Sequence, residues 1–189
     1  MALVEVTFWA CLGLIFYAHA GYPLLLAVIS RLFGRDEAPA RRLEPLPPVT
    51  LVIAAYDEED VIERKVANAL ALDYPRESLE VVIASDGSRD RTVELAGRAG
   101  ADRVLDLPRG GKVAALNAAV RASEGEVVAL SDANSFWAPD ALRRLVARFA
   151  DERVGYVCGQ VRFSGGEGGN QEGLYWRYEM AVRRMESRL

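Results

Sequence analysis

The stretch Val127-Val128-Ala129-Leu130-Ser131-Asp132-Ala133-Asn134 is apolar at its start and ends abruptly in an acid, a small residue and an amide. The run reads as a strand buried on both faces, the kind that parallel sheets contain. Open α/β sheets place their ligands at the carboxyl ends of such strands, so the polar tip stands where a ligand would sit. Two oxygen-bearing side chains at i and i+2, Asp132 and Asn134, can both reach a hard cation or a ribose from there. The plainer alternative is a turn, which Asp and Asn also favour. The neighbouring stretches decide between the two.

Upstream, Val49 to Ala55 reads as a first strand, and Asp57 is placed to cap a helix from Glu58 to Leu72. Ile62, Val66, Ala69 and Leu70 line one face of that helix. Leu79 to Ser85 is a second apolar strand, ending in Asp86-Gly87-Ser88. A helix to Ala99 and a short strand, Arg103 to Leu107, follow. The loop Pro108-Arg109-Gly110-Gly111-Lys112 then leads into a helix ending near Ala122. Beyond Asn134 the pattern predicts a helix opened by Pro139, a strand from Val154 to Phe163, a flexible loop from Gly165 to Asn170, and a helix from Gln171 to Leu189. Strands alternating with helices signal an α/β fold, a mostly parallel sheet with helices on both faces.

Before this pattern lies Val6 to Ile29, whose only ionisable side chain is His19. As a helix it spans roughly 36 Å, enough for a bilayer core of about 30 Å. It is too long for the core of a signal peptide and has no basic residue before it. Arg31, Arg35, Arg41 and Arg42 follow it, so the positive-inside rule puts the amino terminus outside and everything after Arg31 in the cytoplasm. Trp9, Tyr17 and Tyr22 suit interfacial anchoring, and Pro23 suits a kink. The expected organisation is a transmembrane anchor over residues 1–33, a proline-rich linker over 34–48, and an α/β domain over 49–189. The last helix stops uncapped in mid-pattern, so this domain is expected to be incomplete at its carboxyl end.

Composition excludes several chemistries. Net charge is −4, the only lysines are Lys65 and Lys112, and no basic stripe is present, so nucleic acid is not an expected partner. Cys11 and Cys158 stand far apart with no metal-type spacing. With His19 as the only histidine, and in the apolar segment, Ser-His-Asp and Cys-His catalytic sets are not expected. Neither a G-x-G-x-x-G nor a Walker-type G-x-x-x-x-G-K-[ST] motif occurs.

What remains is a convergence of strand ends on one sheet edge: Ala54-Ala55-Tyr56-Asp57-Glu58, Ser85-Asp86-Gly87-Ser88 and Ser131-Asp132-Ala133-Asn134. The glycine-rich loop adds Lys112 and, further along the helix it opens, Asn117. Acids at strand ends accept hydrogen bonds from a base edge and from ribose hydroxyls. A lysine beside a glycine turn at a helix start offers charge and backbone N–H groups to a diphosphate.

Over residues 49–161 the chain resembles the family-2 glycosyltransferases of GT-A fold, their membrane-bound members in particular. The stretches that carry the resemblance are Ala55-Tyr56-Asp57-Glu58-Glu59, Ser85-Asp86-Gly87-Ser88, Gly110-Gly111-Lys112 with Ala115-Leu116-Asn117, and Ser131-Asp132-Ala133-Asn134. Gly21-Tyr22-Pro23-Leu24-Leu25 is similar to the opening membrane segment of such enzymes. The resemblance implies a nucleotide-diphospho-sugar donor, a UDP-sugar, with Tyr56 and Glu58 flanking the base and Asp86 at the uracil. It further implies Lys112 and Asn117 near the nucleotide, Asp132 at the ribose or metal, and Asp132 with Asn134 holding Mg²⁺ or Mn²⁺. Transfer to a carbohydrate or lipid-linked acceptor would be an inverting displacement at the cytoplasmic membrane. Two departures matter. The family's metal triplet usually carries a second acid where this chain has Asn134, and an amide oxygen ligates without charge. The family's catalytic aspartate lies downstream of the matched region, so no catalytic residue is assigned. A nucleotidyltransferase and a membrane-anchored binding or scaffold module are the alternatives.

Overall fold

In a computed structural model of the chain, the structure describes residues 2–34, 43–159 and 170–189. It resolves into two compact units, one holding the amino-terminal and carboxyl-terminal helices and the other residues 43–159.

In the first unit, α1 (Ala2–Phe16), a π-helical turn (Tyr17–Gly21) and α2 (Tyr22–Phe33) form one continuous helical segment. At 32 residues it is long and apolar enough to cross a membrane. The π turn falls just before Pro23, whose nitrogen has no hydrogen to give the His19 carbonyl. Tyr178 Oη–H donates to that carbonyl instead, at 3.0 Å.

The other unit holds β1 (Val49–Ala55), α3 (Ile62–Leu70), β2 (Leu79–Asp86), α4 (Thr92–Arg98), β3 (Arg103–Leu107), α5 (Lys112–Ala122), β4 (Val127–Asp132) and α6 (Ala141–Val146). The remaining helix, α7 (Asn170–Glu186), belongs to the first unit. There Glu186 accepts from Tyr22 Oη–H, and Glu179 pairs with Arg183. The sequence pattern had placed this helix in the α/β domain.

The four strands are parallel, in the order β3-β2-β1-β4. Alternation along β1 and β2 feeds two cores. Leu51, Ile53, Val81 and Ile83 pack with Ile62, Val66 and Ala69 of α3, Leu95 of α4, and Leu142 and Val146 of α6. Val52, Val82 and Ala84 pack on the opposite face with Ala115 and Ala119 of α5. Each fully buried Leu, Ile or Val contributes about 1.5–3 kcal/mol, so the central pair of strands is the mechanical base of the unit. Helices on both faces agree with the sequence expectation.

Three expectations are corrected. β4 is not buried on both faces: it is an edge strand among the described residues, and Leu130 is exposed. The fully buried strands are β1 and β2. Asp57 does not cap α3, which begins at Ile62, because Asp57 is drawn into contacts with the next loop. Its backbone sits at φ 51°, its Oδ1 accepts from Arg89 N–H, and the N–H groups of Glu58 and Glu59 donate to Thr92 Oγ1 and Asp90 Oδ2. Finally, residues 154–159 form no strand, and the rest of the expected Val154–Phe163 strand lies outside the described residues, as does nearly all of the Gly165–Asn170 loop.

Candidate functional site

Register brings the strand ends level: Ala54 pairs with Asp132, Ala55 with Ser85, and Asp86 with Leu107. The chain runs outward from β1 through β2 to β3, then returns to the other side of β1 with β4. The gap beyond the ends of β1 and β4 is therefore a topological switch point, the place where open α/β sheets bind ligands. A cleft of about 360 Å³ opens there. Tyr56, Glu58, Asp86, Lys112, Asp132 and Asn134, all anticipated from the sequence, line it together with Arg109. Asn117 does not line it; it stands exposed on α5.

Asp86 is almost wholly buried, and its carboxylate organises the glycine loop. Oδ1 accepts from the N–H groups of Gly110 and Gly111 at 2.7 and 2.9 Å, and Oδ2 accepts from Arg109 Nη1 at 2.8 Å. The Arg109 guanidinium carbon lies 3.4 Å from the centroid of the Tyr56 ring, a stacked cation–π contact. Gly87 makes this possible, since its φ is +69° and a Cβ there would stand 2.8 Å from Arg109 N. Loop, arginine and tyrosine thus form one wall of the cleft, with the glycine N–H groups at the start of α5.

On the opposite wall, Asp132 and Asn134 flank Ala133, which is buried and anchors the turn between them. Lys112 Nζ stands 2.5 Å from Asp132 Oδ1, and both side chains are about half exposed. Glu58 is pushed above the usual carboxylate range, first by burial and then by the nearby charges of Asp90 and Asp132. Among the described residues no three His, Cys, Asp or Glu side chains gather as a metal centre. One carboxylate and one amide oxygen facing the same cleft still fit a cation of the Mg²⁺ type, which takes one or two protein ligands and completes its shell with water and substrate phosphates.

Two residues of this site escaped the sequence reading. Arg109 was visible only as a basic residue beside two glycines. Lys65 lies inside α3's apolar face, fully buried, with burial pushing its ammonium down to about 8 while Asp132 pulls the other way. Its signal was the spacing Ile62, Lys65, Val66, Ala69, which turns a lysine inward.

Known proteins are similar to this chain. The chain is 37% identical over 124 residues to a beta-monoglucosyldiacylglycerol synthase of Trichormus variabilis, covering 62% of this chain and 26% of that protein. It is 31% identical over 135 residues to the poly-beta-1,6-N-acetyl-D-glucosamine synthase of Staphylococcus aureus, covering 69% and 32%. The chain therefore spans about a quarter to a third of the length of these relatives. A mannosyltransferase from Pyrobaculum calidifontis, solved in complex with GDP-Man and Mn²⁺, superposes with a TM-score of 0.65 at 34% identity, over 74% of this chain and 43% of that one. The model of glycosyl transferase family 2 matches residues 50–188. With its parallel sheet, its cleft at the switch point and this match over most of its length, the chain belongs to glycosyl transferase family 2 and has the GT-A fold.

Proposed function

We infer that the chain supplies the donor-binding half of a glycosyltransferase that moves a sugar from a nucleoside diphosphate to an acceptor hydroxyl. The observation that carries this is the meeting of Tyr56, Arg109, Lys112, Asp132 and Asn134 around one cleft at the switch point. Tyr56 and Arg109 offer a stacking surface to the base. Asp86 acts by holding Arg109 and the glycine loop in place. Lys112, at the start of α5, offers its ammonium to the diphosphate.

A divalent cation held by Asp132 and Asn134 would neutralise charge on the departing diphosphate. With such a cation at Asp132, the Lys112 ammonium would be free to pair with the phosphates. Inversion at the anomeric carbon needs a base at the acceptor hydroxyl, and we assign that role to no described residue.

The resemblance to membrane-bound members of the family favours a uridine donor. The GDP-Man complex of the Pyrobaculum protein supports a second reading, a guanosine donor, because that protein is alike over 74% of this chain at 34% identity. The apolar segment Ala2–Phe33, followed by arginines, supports anchorage in the cytoplasmic membrane with the cleft on the cytoplasmic side. The acceptor, carbohydrate or lipid-linked, is drawn from the two synthases' products.

The test is a panel of UDP- and GDP-sugars with Mn²⁺, read first as thermal protection and then as sugar release in the presence of lipid and oligosaccharide acceptors. Protection by one nucleotide class with turnover supports a transferase. Protection without turnover moves the chain to a binding module, and no protection removes the donor site.

A further inference from the structure

Lys65 is the most deeply buried charged side chain of the sheet unit, and its ammonium stands directly behind the cleft. Its Nζ donates to Ser131 Oγ at 2.8 Å and to the Ser135 carbonyl, and lies 5.7 Å from the centroid of the Trp137 ring. An ammonium has three N–H donors. Two of them go to a hydroxyl and a carbonyl oxygen, and an aromatic face lies beside the charge. The two oxygens belong to residues on either side of Asp132, Ala133 and Asn134.

A second clamp sits one turn further along α3. Asn68 Nδ2 donates to the Trp137 carbonyl, and Asn68 Oδ1 accepts from Trp137 N–H, both at 2.9 Å. The amide thereby pairs with Trp137 as a neighbouring strand would. Ala133, nearly inaccessible to solvent, fixes the segment from inside. The turn that presents Asp132 and Asn134 is thus held from below at Ser131, Ala133, Ser135 and Trp137, while its two polar side chains face the cleft.

On the proposed donor-binding role of the cleft, we propose that Lys65 is a positioning residue: it touches neither nucleotide nor cation, and fixes the spacing of the two cation-facing oxygens through Ser131 and Ser135. A buried ammonium is costly to desolvate, and apolar replacements of buried ions are often neutral or stabilising. Stability alone therefore gives little reason for a lysine at this position. A rigid pair of oxygens does, since partners behind metal ligands typically change metal affinity 10–100-fold when removed.

Lys65→Met keeps the stem and removes the charge. The full chain in detergent is compared with this variant by two measurements. Hydrogen exchange of the peptide spanning residues 131–138 should accelerate about tenfold while the rest of the sheet keeps its protection. The Mn²⁺ enhancement of UDP and GDP affinity should fall about tenfold, with metal-free affinity changed less than about twofold. Unchanged exchange overturns the clamp, and faster exchange with an unchanged Mn²⁺ enhancement overturns the positioning role. If the parent itself shows no Mn²⁺ enhancement, the donor-site reading fails, and the exchange arm still decides whether Lys65 holds the turn. Should Lys65→Met not fold, Asn68→Ala and Ser131→Ala carry the same two readouts, with smaller effects in the same direction.

Discussion

Lys112 Nζ lies 2.5 Å from Asp132 Oδ1, so the carboxylate best placed to hold a cation already faces one from its own chain. The pair is half exposed and worth little as a stabilising contact. On the proposed donor-site reading its consequence is competition: a divalent cation arriving alone would have to displace the ammonium, whereas one arriving with a diphosphate would give the ammonium a new partner.

Lys112→Met is expected to tighten Mn²⁺ binding in the absence of nucleotide several-fold and to weaken nucleoside diphosphate binding about tenfold. Paramagnetic titration of Mn²⁺ with and without UDP or GDP measures both. A loss of affinity in both titrations would contradict competition between Lys112 and the cation at Asp132.

Gly87→Ala is expected to remove the wall of the cleft. At φ +69° a Cβ would stand 2.8 Å from Arg109 N, so either the turn or the glycine loop must shift. The strain is about 1–3 kcal/mol. Chemical unfolding should report that loss, and nucleotide protection should disappear with it. Full protection in a destabilised variant would show that the loop does not shape the base site.

Lys65 gives a signed pH dependence. Burial lowers its ammonium from 10.5 to about 8 in the folded chain, so between these values the unfolded chain binds more protons. Stability contributed by this position therefore rises with pH across that window, by at most about 3 kcal/mol, and is flat below it. The difference in unfolding free energy between the parent and Lys65→Met, measured from pH 7 to 10, should move in favour of the parent as pH rises. A constant difference would mean that Lys65 titrates normally.

Much of this was legible in the sequence. The apolar runs of β1 and β2 and the acids after them placed the sheet and its ligand edge, because strand burial and turn chemistry are local signals. β4 reads as buried on both faces because its start is apolar, but pairing order, which leaves it at an edge among the described residues, is a property of the whole sheet. Asp57 was read as a cap because only tertiary partners, Arg89 N–H above all, tell it otherwise. Arg109 and Lys65 acquire their roles from contacts with Tyr56, Asp86, Ser131 and Ser135, all distant along the chain. No periodicity announces such contacts.

Asn134→Asp adds a full negative charge beside a cation held by Asp132, and charge count in the ligand set is a main control on such affinity. Mn²⁺-dependent nucleotide binding should tighten. An unchanged metal dependence with lowered stability would make Asn134 a turn residue only.

The account stands most directly on Asp132. Calorimetric titration of UDP and GDP into the chain, with and without Mn²⁺, is to be compared with the same titrations of Asp132→Asn. The prediction is that Mn²⁺ strengthens binding of one nucleoside diphosphate in the parent by about tenfold or more, and that Asp132→Asn abolishes most of this enhancement while its melting temperature stays close to the parent's. An equal Mn²⁺ enhancement in parent and variant would contradict the assignment of a cation-assisted donor site to the end of β4.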